Sequence, residues 1–219
     1  MHMFVNVNGI NMHYEVFGEG NPIILVHGNG ESYKIFDKLI EKLQQNYKVY
    51  AIDSRCHGES EDTPKISYEL MTDDVIDFIK VLKINKPLFY GFSDGGIIGL
   101  MLAIKEPELL SKLIISGAQL NPQGGKLSTV LYDKITYFFT RNKLVELMVK
   151  EPDIKVQDLK RIIVPTHVIA GEKDLIKYEH TKLIADNIPN STLKIVPNED
   201  HGSYITHNDK IYEIIKEYI

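Results

Sequence analysis

Short apolar runs alternate with segments of helical spacing along nearly the whole chain, and that alternation most narrows what it can fold into. Pro22–His27, Lys48–Asp53, Pro87–Phe92, Leu113–Ser116, Thr166–Ala170 and Thr192–Val196 read as strands. Between and after them, Tyr33–Gln45, Tyr68–Leu82, Gly95–Lys105, Thr181–Ile188 and Asp209–Ile219 place apolar residues at three- and four-residue steps, the pattern of one helical face. Strands that are apolar throughout are buried on both sides, and strands joined through helices run parallel. The expectation is an α/β fold, a mostly parallel sheet with helices on both faces. Phe4–Val7 and Met12–Val16 flank Asn8-Gly9, a two-residue hairpin signal, which predicts an antiparallel edge. Ligands of such sheets bind beyond the carboxyl ends of the strands.

One stretch breaks the rhythm. Residues 119–158 carry more helical pattern than a plain crossover needs: Leu127, Val130, Leu131, Ile135 and Phe138 form one stripe, and Leu144, Leu147 and Met148 a second. This stretch is expected to be a small helical cap inserted into a core formed by 1–118 and 159–219, though an ordinary crossover helix with a long loop fits the same pattern.

Gly91-Phe92-Ser93-Asp94-Gly95 has the form G-x-S-x-G, with the apolar strand Leu88-Phe89-Tyr90 before it and a helical segment after it. A serine in so sharp a strand-to-helix turn needs small residues on either side, because side chains there would collide. Serine also needs a base to act as a nucleophile. Of the histidines that follow, His201 stands in the loop directly after the last strand, whereas His180 and His207 fall in helical or pre-helical stretches and read as surface residues. An imidazole base needs an orienting acid. Asp174 lies in the loop after the penultimate strand, with Glu172 as its local competitor. An acyl-transfer intermediate needs two donors for its oxyanion. The backbone N–H of Asp94 is one candidate and that of Asn29, in His27-Gly28-Asn29-Gly30 after an early strand, is the other. His27 itself reads as structural.

Taken in order, His27-Gly28-Asn29-Gly30, Gly91-Phe92-Ser93-Asp94-Gly95, Gly171-Glu172-Lys173-Asp174 and His201-Gly202 resemble the α/β-hydrolase fold superfamily, nearly end to end. A further segment, Asp53-Ser54-Arg55-Cys56-His57-Gly58-Glu59-Ser60, is similar to that superfamily's Asp-x-Arg-Gly-x-Gly-x-Ser stretch, with Cys56 where glycine is usual. The resemblance implies a sheet of about eight strands, a Ser93, Asp174, His201 triad and no cofactor or metal. It further implies a shallow, open pocket under a short cap, where Tyr132, Tyr137, Phe138, Phe139 and Met148 either line an acyl site or pack onto the body. Serine at the turn excludes members that use aspartate there.

Composition limits the partners. The net charge is −5 and the basic residues are scattered, so no nucleic-acid footprint is visible. No apolar run is long enough to span a bilayer and no leader is visible at the N-terminus, so no membrane contact is expected. The single cysteine, Cys56, excludes an internal disulfide and suits a cytoplasmic protein, monomer or homodimer. The expected activity is hydrolysis of small or medium carboxylic esters. Two alternatives stand beside it: a thioesterase or carbon–carbon bond hydrolase, and a ligand receptor or signalling protein that retains the triad.

Overall fold

The computed structural model describes residues 3–219. Eight strands form one sheet: β1 (Met3–Val7), β2 (Ile10–Phe17), β3 (Asn21–Val26), β4 (Tyr47–Ile52), β5 (Leu88–Phe92), β6 (Lys112–Ser116), β7 (Thr166–Gly171) and β8 (Ser191–Val196). The helices are α1 (Asp37–Leu43), α2 (Tyr68–Val81), α3 (Asp94–Lys105), α4 (Leu127–Thr140), α5 (Lys143–Lys150), α6 (Tyr178–Asn187) and α7 (Lys210–Ile215). The strand order is β1-β2-β4-β3-β5-β6-β7-β8. Among the described residues, only the strand pairs β1–β2 and β2–β4 are antiparallel; every other strand pair is parallel. The mostly parallel α/β fold with an antiparallel edge is therefore as expected.

The alternation of side chains along each strand builds the two layers. Ile23, Leu25, Val49 and Ala51 face one side, where α1 brings Leu39, Ile40 and Leu43 and α7 brings Ile211 and Ile215. Ile24, Val26, Tyr50 and Ile52 face the other, against Met71, Val75 and Phe78 of α2, Ile98 of α3 and Ile184 of α6. Each fully buried aliphatic side chain contributes about 1.5–3 kcal/mol. These two layers hold the carboxyl ends of the strands in place.

The edge is fixed locally. Asn8 and Gly9 both take positive φ, 43° and 77°, and Val7 pairs with Ile10 across them. The Asn8 N–H donates to Asp77 and its side chain to Asp74, both on α2. Asp74 also forms a buried ion pair with Arg55, at 2.6 Å. Asp53 accepts the backbone N–H groups of Tyr33 and Glu59. The Asp53–Ser60 segment is thus a braced turn. Cys56 within it has φ 64°, the left-handed region that glycine adopts most readily, which accounts for the usual glycine at that place.

Element ends differ from expectation where tertiary bonds intervene. The stretch Tyr33–Gln45 is a 3-10 turn, Tyr33–Phe36, followed by α1, and Asp53 accepts the otherwise unpaired first N–H, that of Tyr33. The last helix stops at Ile215; beyond it Tyr218 stacks on His167 at 3.8 Å and its carbonyl accepts from Lys112. The helix expected from Thr181 begins at Tyr178.

Candidate active site

Ser93 sits between β5 and α3 with φ 54° and ψ −111°. Its own N–H donates to the Ser116 carbonyl at 2.8 Å, and its carbonyl accepts from Ile97, so the turn is pinned on both sides. A side chain at Gly91 would strike the Gly95 carbonyl, and one at Gly95 would strike the Val26 carbonyl. The two glycines are therefore a steric condition for the strained serine.

His201 Nε2 lies 3.1 Å from Ser93 Oγ, and His201 Nδ1 lies 2.7 Å from Asp174 Oδ1. The structure thus brings together all three residues singled out in the sequence, from the ends of β5, β7 and β8. Asp174 is buried. Its carboxylate also accepts the N–H groups of Ile176 at 2.9 Å and Gly171 at 3.3 Å. Burial raises its pKa, but the His201 hydrogen bond and charge, with those two N–H groups, outweigh it and hold the carboxyl below the ordinary value. Glu172 takes no part: it is exposed and accepts the Asn198 N–H. His180 is half-buried rather than a surface residue, its Nε2 accepting the Leu120 N–H; His207 is exposed beside Asp37. The packed ring of Phe92, 5.0 Å from His201 between centroids, fixes the imidazole plane.

Asn29 and Asp94 meet through their side chains, which the sequence reading did not anticipate. Asn29 Nδ2 donates to Asp94 Oδ2 at 3.0 Å and to the Leu144 carbonyl of α5 at 3.1 Å. Tyr68 OH donates to Asp94 Oδ1 at 2.7 Å. Burial pushes the Asp94 carboxyl above its ordinary value despite those two donors. Glu31 is a second unanticipated member. It accepts the Gly28 N–H at 2.9 Å, and a side chain at Gly28 would press on Ser93. Burial raises the Glu31 pKa against the pull of the Gly28 N–H and of His201. No motif at Glu31 or Tyr68 marks either residue; the fold brings Glu31 there on a loop and Tyr68 at the start of α2.

His27 is buried beneath this loop. Its Nδ1 bonds the Gly28 carbonyl at 2.7 Å and its Nε2 accepts the Ser54 N–H at 3.0 Å, an arrangement that assigns the proton to Nδ1. Burial first, and the neighbouring His57 second, lower its pKa to about 4.

The cavity beside Ser93 and His201 has a volume of about 80 Å³. Thr129, Val130 and Asp133 of α4, Met148 of α5, and Leu175 and Ile176 line it. Of the aromatic residues considered for its wall, Tyr132, Phe138 and Phe139 point to solvent and neither line it nor pack on the body. Tyr137 bonds Glu146, and Met148 alone of that group reaches the cavity. Among the described residues no cluster of side chains could hold a metal ion.

A strained serine at the end of a central strand, with histidine and aspartate supplied by later loops, defines the class of hydrolases built on an open α/β sheet. Residues 21–148 match the family described as alpha/beta hydrolase fold, and the chain belongs to that family. It is 26% identical over 249 residues to the human protein named serine hydrolase BPHL, covering 98% of this chain and 85% of that one. It is 27% identical to 2-hydroxy-6-oxo-6-(2'-aminophenyl)hexa-2,4-dienoic acid hydrolase of Metapseudomonas resinovorans, over 93% of this chain and 86% of that one. Among solved structures, a thermophilic esterase from Thermogutta terrifontis superposes with a TM-score of 0.80 at 21% identity, over 100% of this chain and 97% of that one.

Proposed function

We propose that this chain is a serine hydrolase that cleaves small or medium carboxylic esters. Ser93 Oγ attacks the ester carbonyl while His201 Nε2 takes its proton, and Asp174 holds His201 and balances the imidazolium charge. The N–H groups of Asn29 and Asp94 receive the oxyanion. His201 then gives its proton to the departing alcohol. A water molecule, deprotonated in turn by His201, hydrolyses the acyl-enzyme and releases the acid. No step calls for a metal or cofactor.

The observation that carries this reading is the unbroken chain from Ser93 Oγ through His201 to Asp174, at 3.1 and 2.7 Å. The assignment of Asn29 rests on its neighbour: the Gly28 N–H is already taken by Glu31, so it is not free for an oxyanion. We read residues 119–158 as a cap over this site and the rest of the chain as the hydrolase core. A cavity of about 80 Å³ favours a short acyl group, being well below the few hundred Å³ of drug-sized sites. Cleavage of a carbon–carbon bond beside a ketone is the second reading, favoured by the likeness to the Metapseudomonas resinovorans hydrolase.

The test is turnover of p-nitrophenyl esters from acetate to decanoate by the protein and by Ser93→Ala, with a fluorophosphonate probe alongside. Turnover falling about a thousandfold or more in a folded Ser93→Ala protein is the expected result. Unchanged turnover in that variant overturns it. Labelling of Ser93 without ester turnover moves the reading to carbon–carbon bonds or thioesters. Absence of both moves it to a ligand receptor.

A further inference from the structure

Helix α4 is mounted with its apolar side outward. None of its residues is buried. Leu127, Leu131, Tyr132, Ile135, Phe138 and Phe139 share one face, with exposures from 49% at Ile135 to 80% at Leu127. The opposite side, with Thr129, Val130 and Asp133, looks into the cavity beside Ser93. A surface helix of a globular protein normally does the reverse. The Lys126 N–H bonds the Leu175 carbonyl, so exposed Leu175 extends the patch to the cavity rim. Apolar patches of this kind on a folded protein mark a surface for something else.

The charges around the patch say what that is. Between Gln119 and Glu146 stand Lys126, Lys134, Arg141 and Lys143 against the acids Asp133 and Glu146, in a chain whose net charge is −5. Lys143 is committed to Asp62 and Lys134 borders the cavity, whereas Lys126 and Arg141 are exposed beside the apolar face. Arg141 lies over the rings of Tyr137 and Phe138, 5.3 and 5.5 Å from their centroids. A second copy of this chain docked through a twofold axis would bring these like charges together. A surface of opposite sign would not. Large aliphatic and aromatic side chains flanked by Lys and Arg are the make-up of a helix that lies in a lipid interface.

We propose that α4 docks the protein onto anionic phospholipid membranes. Its apolar side chains enter the boundary between headgroups and acyl chains, and Lys126 and Arg141 meet the lipid phosphates. The expectation of no membrane contact rested on the lack of a spanning run; a helix lying flat needs none. Indeed, no helix among the described residues is long and apolar enough to cross a membrane.

Cosedimentation with phosphatidylcholine vesicles, with and without phosphatidylglycerol, tests this independently of any catalytic activity. Binding to the mixed vesicles should exceed binding to neutral ones by about tenfold or more, and weaken in high salt. A Phe138→Ser/Phe139→Ser double variant should lose most of that binding while its thermal midpoint stays unchanged, since neither side chain is buried. A Lys126→Glu/Arg141→Glu variant should lose the preference for phosphatidylglycerol. No binding to the mixed vesicles overturns the proposal, as does binding that either variant leaves intact. A dimer in light scattering that the Phe138→Ser/Phe139→Ser change dissolves, with no vesicle binding, would assign the face to a second copy instead.

Discussion

Asp174 makes four contributions to one geometry: it is buried, it faces His201 Nδ1, and it accepts two backbone N–H groups. The oxygen that faces His201 also accepts the Ile176 N–H, so asparagine keeps both of those bonds, gives up only the longer one from Gly171, and removes the charge that balances the imidazolium. Under the proposed function, Asp174→Asn should lower kcat by about a thousandfold to ten-thousandfold with little change in thermal midpoint. Steady-state kinetics beside a melting curve check both halves. A loss of activity matched by unfolding would make the residue structural. Ser93, Asp174 and His201 were legible from the sequence because each stands directly after an apolar run, where parallel strands end. Glu31, Tyr68 and the Asn29 side chain were not. Their partners lie on the distant helices α3 and α5 or, for the Glu31–Gly28 bond, in a turn geometry that no spacing encodes.

Among elements, the hairpin β1–β2 is held to α2 by a compact set of polar bonds. Asn8 reaches Asp74 and Asp77, and Arg55 pairs with Asp74 out of contact with water. Removing one member of a buried ion pair strands the other charge. Arg55→Ala should therefore lower the free energy of unfolding by about 3–5 kcal/mol, read from urea denaturation. A loss below about 1 kcal/mol would mean that water reaches Asp74. The strands and most helices could be placed from periodicity, within a few residues at their ends. The orientation of α4 could not. A stripe at helical spacing says that a helix has two unlike faces, and an inward apolar face is the ordinary expectation. Here the cavity-facing side is the more polar one.

At the scale of the whole molecule, one buried imidazole ties stability to pH. His27 is buried and neutral, with a pKa of about 4 against an ordinary 6.5. Its Nε2 already accepts the Ser54 N–H, so a proton arriving there would break that bond. Between those two values the unfolded chain binds the proton more readily than the folded one. Stability must then rise with pH across that window and fall as pH drops through it. His180, whose pKa burial also lowers, acts in the same direction. The urea midpoint should fall between pH 7 and pH 5, and His27→Gln, less stable at pH 7, should show a shallower fall. An equal slope in the variant would exclude His27 as the source.

The pair of glycines around Ser93 has a consequence for descent. With Gly91 pressed on one carbonyl and Gly95 on another, nearly every substitution at those positions removes the turn itself. Mutation therefore finds almost no viable variants at either glycine. The cavity wall supplied by α4 and α5 is free of that limit, since its residues are mostly half-exposed and braced by few bonds. When duplicated genes of this kind diverge toward new substrates, the changes should accumulate in the roof and spare the floor.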